Sequence, residues 1–273
     1  MKFTKYHALG NDYLVVDPKD VNRLSQDDII TLCHRHYGIG SDGVLYGPLP
    51  GNNCDFALKI FNPDGSEAEK SGNGLRIFSR YLWDRQLVSD KPFLIETPGG
   101  EVCASVCPSG KSVTVEMGQV SFSHDLLEAT SAVPEDMLVQ GKVFTGYRAN
   151  VGNPHFVILV DELTPELATT YGPLIESAPG FSNRTNVQFV KVLERGRIQV
   201  EIWERGAGYT LASGSSSVAA AAVVYRLGLC REKISVVMPG GIIQIVMDLQ
   251  FNASMTGAVA KIAEGSLSQE ALS

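Results

Sequence analysis

The stretch Glu69-Lys70-Ser71-Gly72-Asn73-Gly74-Leu75-Arg76 decides the fold, because Leu211-Ala212-Ser213-Gly214-Ser215-Ser216-Ser217-Val218 repeats its pattern in the other half of the chain. In both stretches a Ser-Gly turn of small and polar residues opens onto an apolar run of helical length. A helix that begins on such a turn points backbone N–H groups outward at the positive end of its dipole. The two stretches therefore predict two anion-binding helix N-termini, one in each half, that hold one acidic ligand.

Short β-rich runs surround these two helices, which we expect near residues 72–86 and 213–227. Shorter helices are expected at residues 26–36 and 164–171. Most of the β-rich runs are bounded by Gly, Pro, Asn or Asp, which favours hairpins over βαβ crossovers. The order of strands, short helix, strands, Ser-Gly turn, long helix and strands occurs about twice, which indicates an internal duplication.

We therefore expect an α+β protein of two pseudo-symmetric domains, each a curved, mainly antiparallel sheet around a central helix. The seam is expected near residues 118–133, which gives domains of residues 1–118 and 119–261. A last strand near residues 262–273 is expected to return to the first domain, and the polar tail from Gly265 is expected to fray. The ligand is expected in the cleft between the domains.

Composition excludes several classes of function. The chain has 273 residues, 44 % hydrophobic and 19 % charged, which is enough to build two cores. The net charge of −7 leaves no basic surface, so nucleic acid is not an expected partner. The N-terminus enters a strand-like run without an apolar leader, and no apolar stretch reaches the ~18 residues of a membrane span. We expect no membrane partner and a cytoplasmic location.

The cysteines are odd in number and show no paired spacing, which argues against a disulfide framework or a metal site. They are Cys33, Cys54, Cys103, Cys107 and Cys230. We expect them to be reduced core residues, and we expect no metal.

Two glycine-containing motifs in the first half have plain structural interpretations. Gly10-Asn11-Asp12-Tyr13 has the composition of a turn. Gly38-Ile39-Gly40-Ser41-Asp42-Gly43 follows a predicted helix and precedes a strand, which is the reverse of a dinucleotide-binding turn. The second motif therefore does not indicate a nucleotide site.

Two motifs in the second half carry candidate chemistry. In Gly152-Asn153-Pro154-His155, the proline restricts Asn153 to an extended conformation, and His155 is either structural or catalytic. Glu204-Arg205 ends a predicted strand just before the second Ser-Gly turn. This pair is either a solvated salt bridge or a group that recognises an α-amino and an α-carboxylate group.

The motifs and their order carry a resemblance over essentially the whole chain. They are Gly10-Asn11-Asp12-Tyr13, Gly40-Ser41-Asp42-Gly43, Asn62-Pro63-Asp64-Gly65-Ser66, Gly72-Asn73-Gly74-Leu75-Arg76, Gly152-Asn153-Pro154-His155, Glu204-Arg205-Gly206-Ala207-Gly208, Gly214-Ser215 and Met255-Thr256-Gly257. With them the chain resembles the diaminopimelate epimerases, isomerases that work without a cofactor. The resemblance implies two pseudo-symmetric domains, a homodimer, a small amino-acid substrate, and neither pyridoxal phosphate nor a metal.

The resemblance also implies roles for individual residues. In the family one thiolate removes the α-proton from one face of an amino acid and an opposing thiol returns a proton on the other face. The substrate carboxylate next to the reacting carbon would rest on Gly72 and Asn73 together with Gly214 and Ser215. The distal end would meet Asn11, Asn62, Asn153, Asn186, Glu204 and Arg205. His155 and Glu204 would flank the α-carbon.

The chain departs from the family where the chemistry is centred, because the two positions that the resemblance assigns to catalytic cysteines hold Ser71 and Ser213. A serine hydroxyl ionises far less readily than a thiol, whose pKa is ~8.5, and it needs a general base beside it. The chain is either a variant in which both cysteines were replaced to trap substrate or a natural relative that has diverged. Further departures at Ile77, Tyr209, Ser216, Ser217 and Ala258 favour divergence.

Three hypotheses for the function follow. The first is an isomerase of amino-acid (lysine) biosynthesis that inverts the α-carbon of diaminopimelate or a related polar amino acid. In it Ser71 and Ser213 occupy the proton-transfer positions and His155 and Glu204 assist. The second is a non-catalytic homologue that binds an amino acid or a precursor. The third is a one-base elimination enzyme with His155 or Glu204 as the base.

Overall fold

A computed structural model describes residues 1–122 and 132–272. Part of the expected seam, residues 123–131, therefore lies outside the described residues. The chain divides into two compact units, Met1–Val115 with Thr256–Ser273, and Glu116–Met255. The chain returns to the first unit at Thr256, several residues earlier than the expected strand at 262–273.

The first unit is built from strands around one long helix. In chain order its elements are β1 (Lys2–Ala8), β2 (Asn11–Val16), α1 (Gln26–Cys33), β3 (Val44–Leu49), β4 (Phe56–Phe61), β5 (Glu67–Ala68), α2 (Gly72–Asp84), β6 (Phe93–Thr97), β7 (Gly100–Val106) and the first residues of β8 (Ser112–Gln119), a strand that continues into the second unit. The second unit contains β9 (Pro134–Val139), β10 (Lys142–Asn150), β11 (Pro154–Leu159), α3 (Pro165–Glu176), β12 (Asn186–Glu194), β13 (Arg197–Glu204), β14 (Gly208–Thr210), α4 (Gly214–Arg226), β15 (Lys233–Met238) and β16 (Gly241–Met247). The chain ends with β17 (Asn252–Ala258), β18 (Ala260–Ser266) and a 3-10 helix, Gln269–Leu272.

The two units repeat one order of strand pairing. In the first, β1 is antiparallel to β2, β2 is parallel to β3, β3 is antiparallel to β4, and β4 is parallel to β6, which is antiparallel to β7. In the second, the same sequence of pairings runs through β10, β11, β12, β13, β15 and β16. The duplication expected from the sequence is thus present in the topology.

The preference for hairpins over crossovers was wrong at four places. Each of the four helices lies in a connection between parallel strands, which pair as β2 with β3, β4 with β6, β11 with β12, and β13 with β15. A chain that returns parallel to its previous strand needs a crossover, and the helices supply it. Turn residues at the strand ends mark where a strand stops and do not reveal this direction.

The long helices are buried on nearly all sides. Ten of the thirteen residues of α2 are buried, and α2 contacts β1, β2, β3 and β7. In α4 the buried residues include the run Val218–Val224, and this helix contacts β10, β11, β12, β13, β15 and β16. The small side chains of residues 219–222 let the strands approach α4 closely, whereas α2 is enclosed around larger buried side chains such as Phe78 and Tyr81. In both cases the start of the helix is held by its unit.

Several boundaries differ from the sequence expectation. Helix α1 stops at Cys33 because His34 is extended, whereas α3 runs through Pro173 to Glu176. The tail does not fray at Gly265, because β18 pairs with β1 through Ser266 and the N–H of Leu267 donates to the carbonyl of Met1. Of the cysteines, Cys33 and Cys230 are buried, while Cys54, Cys103 and Cys107 are half-buried and do not belong to a core. All five are free thiols.

Candidate functional site

The first unit contains a candidate site at the start of α2. Ser71 has an extended backbone and is the N-cap, and its Oγ accepts a hydrogen bond from the N–H of Gly74 at 3.1 Å. The carbonyl of Ser71 accepts the N–H of Leu75, so the first intrahelical bond begins there. Helix geometry leaves the N–H groups of Gly72 and Asn73 without an intrahelical acceptor. The expected serine-capped helix N-terminus is therefore present in this unit, and its binding of an anion stays a prediction.

Ser71 also lies next to the phenol of Tyr13, a residue that the sequence indicates only as part of a turn. The hydroxyl of Tyr13 is 3.3 Å from Ser71 Oγ, and either oxygen can donate. Tyr13 reaches this position because β2 contacts α2. The described contacts of Ser71 are thus a backbone N–H and a phenol, and neither is a carboxylate or an imidazole.

Asn73 and Asn11, both expected to bind substrate, are brought together. Asn73 Nδ2 donates to Asn11 Oδ1 at 2.9 Å, and Asn11 Nδ2 donates to Asp42 Oδ2 at 2.9 Å. Arg76 in turn donates from Nη2 to Asn73 Oδ1 at 2.7 Å. These contacts form one continuous row of hydrogen bonds at the start of α2.

The acidic end of this row is fixed by ion pairs. Asp42 pairs with Arg35 at 2.6 Å, and Arg35 also pairs with Asp12 at 2.9 Å, while Lys5 pairs with Asp12 at 2.7 Å. Burial acts to raise the pKa of Asp12, but the hydrogen bonds from Arg35 and Lys5 outweigh it and hold this pKa below its usual value. The glycine-rich motif at residues 38–43 therefore serves to place a carboxylate behind Asn11.

Asn62 lies in a turn and is engaged locally. Its Nδ2 donates to Ser66 Oγ at 3.0 Å, and its backbone N–H donates to the carbonyl of Ser66 at 2.8 Å. The side chain is half-buried. No described contact joins Asn62 to Asn11 or Asn73, so its place in the candidate site stays a prediction.

The second unit repeats the arrangement at the start of α4, which is a candidate site of that unit. Ser213 is the N-cap with an extended backbone, and its Oγ accepts the N–H of Ser216 at 3.4 Å. Ser213 is buried, at 3 % exposure, and its carbonyl accepts bonds from the backbone N–H and the hydroxyl of Ser217. Gly214 and Ser215 occupy the first positions of the helix, where N–H groups lack an intrahelical acceptor. As with Ser71, the described contacts of Ser213 include no general base.

His155 is a buried imidazole whose pKa departs far from its usual value. It is buried, at 1 % exposure, and its Nε2 lies 2.9 Å from Asn153 Oδ1. Burial lowers the pKa of His155 from 6.5 to about 3, with a smaller effect in the same direction from the positive charge of Arg205. His155 is therefore neutral at pH 7. A group with so low a pKa is a weak base, so the imidazole suits hydrogen bonding better than proton abstraction.

Gln188 is a further buried polar group that the sequence did not single out. Its Nε2 donates to Ser216 Oγ, in the first turn of α4, at 3.0 Å. Its hydrogen bonding also acts to raise the pKa of His155 against the stronger effect of burial. Gln188 Oε1 and His155 Nδ1 are both buried without a hydrogen bond of regular geometry to any described residue, so the interaction between the two side chains is weak. Gln188 thus lies between the imidazole and the start of α4.

Asn186 holds backbone in place. Its Nδ2 donates to the carbonyl of Pro154 at 2.9 Å, and its Oδ1 accepts the N–H of Arg205 at 3.0 Å. It therefore ties the Asn153–His155 segment to the Glu204–Arg205 turn. One N–H and one lone pair of this amide remain for a ligand.

A buried carboxylate braces the same turn. Glu176, the last residue of α3, accepts bonds from the N–H of Gly206 at 2.9 Å and from the indole N–H of Trp203 at 2.7 Å, and it pairs with Arg184. Glu176 is 4 % exposed. Neither Glu176 nor Arg184 was predicted from the sequence, because they contact the turn only through the packing of α3 on β13.

Glu204 and Arg205 do not form the salt bridge that one interpretation of the sequence suggested. Glu204 Oε2 accepts the hydroxyl of Thr210 at 3.1 Å, and Arg205 Nη1 donates to the carbonyl of Asn183 at 3.1 Å. The hydroxyl of Tyr209 donates a hydrogen bond to the carboxylate of Glu201 at 2.6 Å. Burial, together with this hydrogen bond, raises the pKa of Tyr209 to about 12. Arg205 is exposed, so its guanidinium remains accessible to an anion.

A cavity of about 240 Å³ lies in the second unit beside these groups. Its lining includes His155, Arg205, Arg184, Arg148 and Asn183. The cavity is therefore rich in cationic and amide groups, which suits a ligand with a carboxylate. Among residues 1–122 and 132–272 no group of three or more His, Cys, Asp or Glu side chains is arranged to hold a metal ion.

Comparison with known proteins gives a family match. The family model described as diaminopimelate epimerase matches residues 3–123 and 147–262. The chain is 58 % identical over 275 residues to diaminopimelate epimerase 2 of Nostoc sp., covering 99 % of this chain and 96 % of the relative. It is 36 % identical to diaminopimelate epimerase of Synechocystis sp., covering 97 % of this chain and 98 % of the relative.

Solved structures share the fold. A probable proline racemase from Agrobacterium radiobacter superposes with a TM-score of 0.74 at 16 % identity, covering 98 % of this chain and 93 % of that one. A hydroxyproline epimerase from Agrobacterium vitis superposes with a TM-score of 0.72 at 16 % identity, covering 97 % of this chain and 91 % of that one. At this identity the likeness establishes the architecture alone.

Proposed function

The chain belongs to the diaminopimelate epimerase family and is an isomerase of that type, and we propose that it inverts the α-carbon of diaminopimelate, converting the LL isomer to the meso isomer. The observation that carries the choice of substrate is the identity of 58 % to a relative of that name across nearly the whole chain. The alternatives of a binding homologue and of an elimination enzyme are not favoured by the comparisons.

The proposed reaction moves one proton off the α-carbon and another onto it. An ionised serine oxygen removes the α-hydrogen as a proton, its electron pair stays on carbon, and the hydroxyl of the other serine donates a proton to the opposite face. Ser71 and Ser213 are proposed for these positions because each caps the long helix of its unit in the same extended conformation. The product differs from the substrate only in configuration, so atoms and charge balance.

The helix N-termini support the charge that this reaction develops. The N–H groups of Gly72 and Asn73 and those of Gly214 and Ser215 are proposed to receive the substrate carboxylate, since helix starts favour negative charge. A carboxylate held in this way also withdraws charge from the α-carbon as its proton leaves. Arg205, exposed beside the cavity, is proposed to bind the distal carboxylate, and Asn11, Asn62, Asn153 and Asn186 are proposed to shape the polar surroundings.

The two serines determine the rate of turnover that we expect. Among the described contacts, Ser71 Oγ meets the N–H of Gly74 and the phenol of Tyr13, and Ser213 Oγ meets the N–H of Ser216. One N–H and a helix terminus stabilise an alkoxide by about 1–2 kcal/mol, which is about one pKa unit. This shift is far smaller than the difference in pKa between a serine hydroxyl and a cysteine thiol. We therefore propose slow turnover, with His155 and Glu204 assisting by hydrogen bonding.

The test is direct conversion of purified stereoisomers. LL-diaminopimelate, meso-diaminopimelate and L-lysine are incubated separately with the protein, and the configuration at each α-carbon is measured by chiral chromatography. Interconversion of the first two and none of lysine supports the proposal, because lysine lacks the distal carboxylate. Release of a small leaving group would instead show elimination, and binding without conversion would show a binding homologue.

Two further properties are proposed from the family resemblance. We propose that the protein acts as a homodimer and that it works in the cytoplasm. The described helices include none that is long and apolar enough to cross a membrane. Light scattering on the purified protein measures its mass in solution and so tests the homodimer. The mass of a single chain would overturn that proposal. Fractionation of cells that express the tagged chain tests the second.

A further inference from the structure

Arg76 is the largest fully buried side chain of the chain as described, and it is not among the residues assigned to the site above. Its Nη2 donates to Asn73 Oδ1 at 2.7 Å, while Nε and Nη1 have no hydrogen-bond partner within the described residues. None of the ion pairs described includes Arg76. The guanidinium is therefore a buried cation with one hydrogen bond among the described residues, at the first turn of α2.

Close packing keeps the guanidinium in this position. Gly257, in β17, lies so near that a Cβ placed on it would be 3.1 Å from both Cζ and Nε of Arg76. Such a contact is tighter than ordinary van der Waals packing, so the strand leaves room for the guanidinium only because it carries glycine here. This accounts for the Gly of the Met255-Thr256-Gly257 motif, to which the proposed reaction gives no role.

Arg76 fixes the direction of the row of hydrogen bonds at the start of α2. A guanidinium can only donate, so Asn73 must turn its oxygen to Arg76 and its NH₂ group to Asn11. At the other end Asp42 Oδ2 accepts the backbone N–H of Asp12 at 3.0 Å and is therefore an acceptor, so Asn11 must turn its NH₂ group to Asp42 and its oxygen to Asn73. The two ends agree, and both amides have one satisfied orientation.

The charge of Arg76 persists at neutral pH. Burial lowers the pKa of Arg76 to about 10, which leaves the group protonated at pH 7. A buried cation without a paired anion is costly, and proteins compensate it with an opposite charge. The neighbouring N–H groups of Gly72 and Asn73 are those proposed for the substrate carboxylate, so a bound anion would supply that charge through Asn73.

We propose that Arg76 is a positioning residue of the site: its buried guanidinium orients the amides of Asn73 and Asn11 and strengthens carboxylate binding at the start of α2. This inference rests on the proposed function for the identity of the ligand. The orienting role itself does not depend on any ligand and can be measured in the free protein.

Side-chain amide signals of Asn73 and Asn11 in ¹⁵N-labelled protein test the orienting role. Arg76→Met keeps the length and removes the donor, and Arg85→Met removes an exposed arginine from the other end of the same helix as the matched control. We expect Arg76→Met to shift both amide signals and to speed exchange of their protons with water, whereas Arg85→Met changes neither. Unchanged Asn73 and Asn11 signals in folded Arg76→Met would overturn the proposal.

Gly257→Ala keeps the test available if Arg76→Met does not fold. The added methyl group displaces the guanidinium without removing its charge. We expect the Asn73 signal to shift in Gly257→Ala, with a smaller effect on Asn11, which lies one bond further along the row. Folded Gly257→Ala with both signals in their original places would contradict the proposal.

Calorimetry with meso-diaminopimelate tests the effect on binding. We expect Arg76→Met to weaken binding by roughly tenfold or more, the loss typical of a hydrogen bond to a charged group, and Arg76→Lys to restore part of it. Equal affinity of Arg76→Met and unaltered protein would overturn the binding part of the proposal. If the unaltered protein does not bind diaminopimelate, the proposed function fails, and the amide signals still decide the orienting role.

Discussion

Nε2 of His155 lies 2.9 Å from Oδ1 of Asn153, and the imidazole is closed off from solvent. The pair joins the first residues of β11 to the loop before it, and Asn186 links the same segment to the backbone of Arg205. The imidazole thereby becomes part of the hydrogen-bonded frame of the candidate site in the second unit. Its chemistry follows from burial, which keeps it neutral.

The pKa of His155 gives a prediction for stability. In the folded protein this pKa is about 3 against 6.5 ordinarily, so acid favours the unfolded chain, which takes up the proton more readily. The contribution of the neutral His155 to the free energy of unfolding is constant above pH 6.5. As the pH falls from 6.5 towards 3, the free energy of unfolding decreases by about 1.4 kcal/mol per pH unit. Urea unfolding at about pH 7 and about pH 5 measures it.

His155→Gln should remove this part of the acid dependence, and His36→Gln, at an exposed position, should leave it unchanged. A ¹H–¹⁵N titration of the imidazole reports the pKa itself. A titration of His155 near 6.5 would contradict the account of this candidate site.

Glu176 provides a second prediction. Glu176→Gln removes the charge that pairs with Arg184 and weakens the bonds to Gly206 and Trp203. Because Arg184 is half exposed, we expect the free energy of unfolding to fall by about 1–3 kcal/mol, below the loss for a fully buried ion pair. Chemical denaturation checks this, with exposed Glu162→Gln as the control.

Glu176→Gln should also affect substrate binding. The carboxylate of Glu176 accepts the N–H of Gly206 and so holds the Glu204–Gly206 turn, which positions Arg205. We expect Glu176→Gln to raise the Kd for diaminopimelate more than the Kd for lysine, which lacks the distal carboxylate. Equal effects on the two ligands would show that the turn does not position Arg205.

The serines give a third prediction. Ser71→Cys together with Ser213→Cys should raise the rate of epimerisation, because a thiol of pKa ~8.5 ionises near neutral pH at a helix N-terminus. The two single variants should each gain less, since inversion needs one group to remove and another to return a proton. Initial rates of LL-to-meso conversion at saturating substrate check this. A double variant no faster than the unaltered protein would show that these positions do not transfer the protons.

Local sequence signals predicted the two serine-capped helices, because a Ser-Gly turn before an apolar run is set by nearest neighbours. The family resemblance added Asn11, Asn73 and Asn186, and the Asn-Pro-His motif added His155, although neither indicated what each residue contacts. The braces could not be predicted in this way. Glu176 and Gly206 are thirty residues apart and meet only through the packing of α3 on β13. From sequence alone, a charged residue such as Arg76 is expected at the protein surface. Its burial depends on Gly257, which is distant in the chain.

His155 shows a second limit of the sequence. The Asn-Pro-His pattern left a structural and a catalytic role equally open, since burial of an imidazole depends on strands that pair from elsewhere in the chain. Parallel pairing of His155 with Asn186 places it on the β11–β12 sheet, beside Gln188 two residues along. Turn residues gave the ends of these strands and not their direction, which is why the four crossovers were missed.

The most direct test of the central claim is incorporation of solvent deuterium at the α-carbon of LL-diaminopimelate, measured by mass spectrometry together with the configuration of the product. We expect slow formation of meso product that carries one deuterium at the inverted carbon, and loss of this reaction in both Ser71→Ala and Ser213→Ala. Meso product without deuterium, or undiminished exchange in either alanine variant, would contradict the assignment of the two serines.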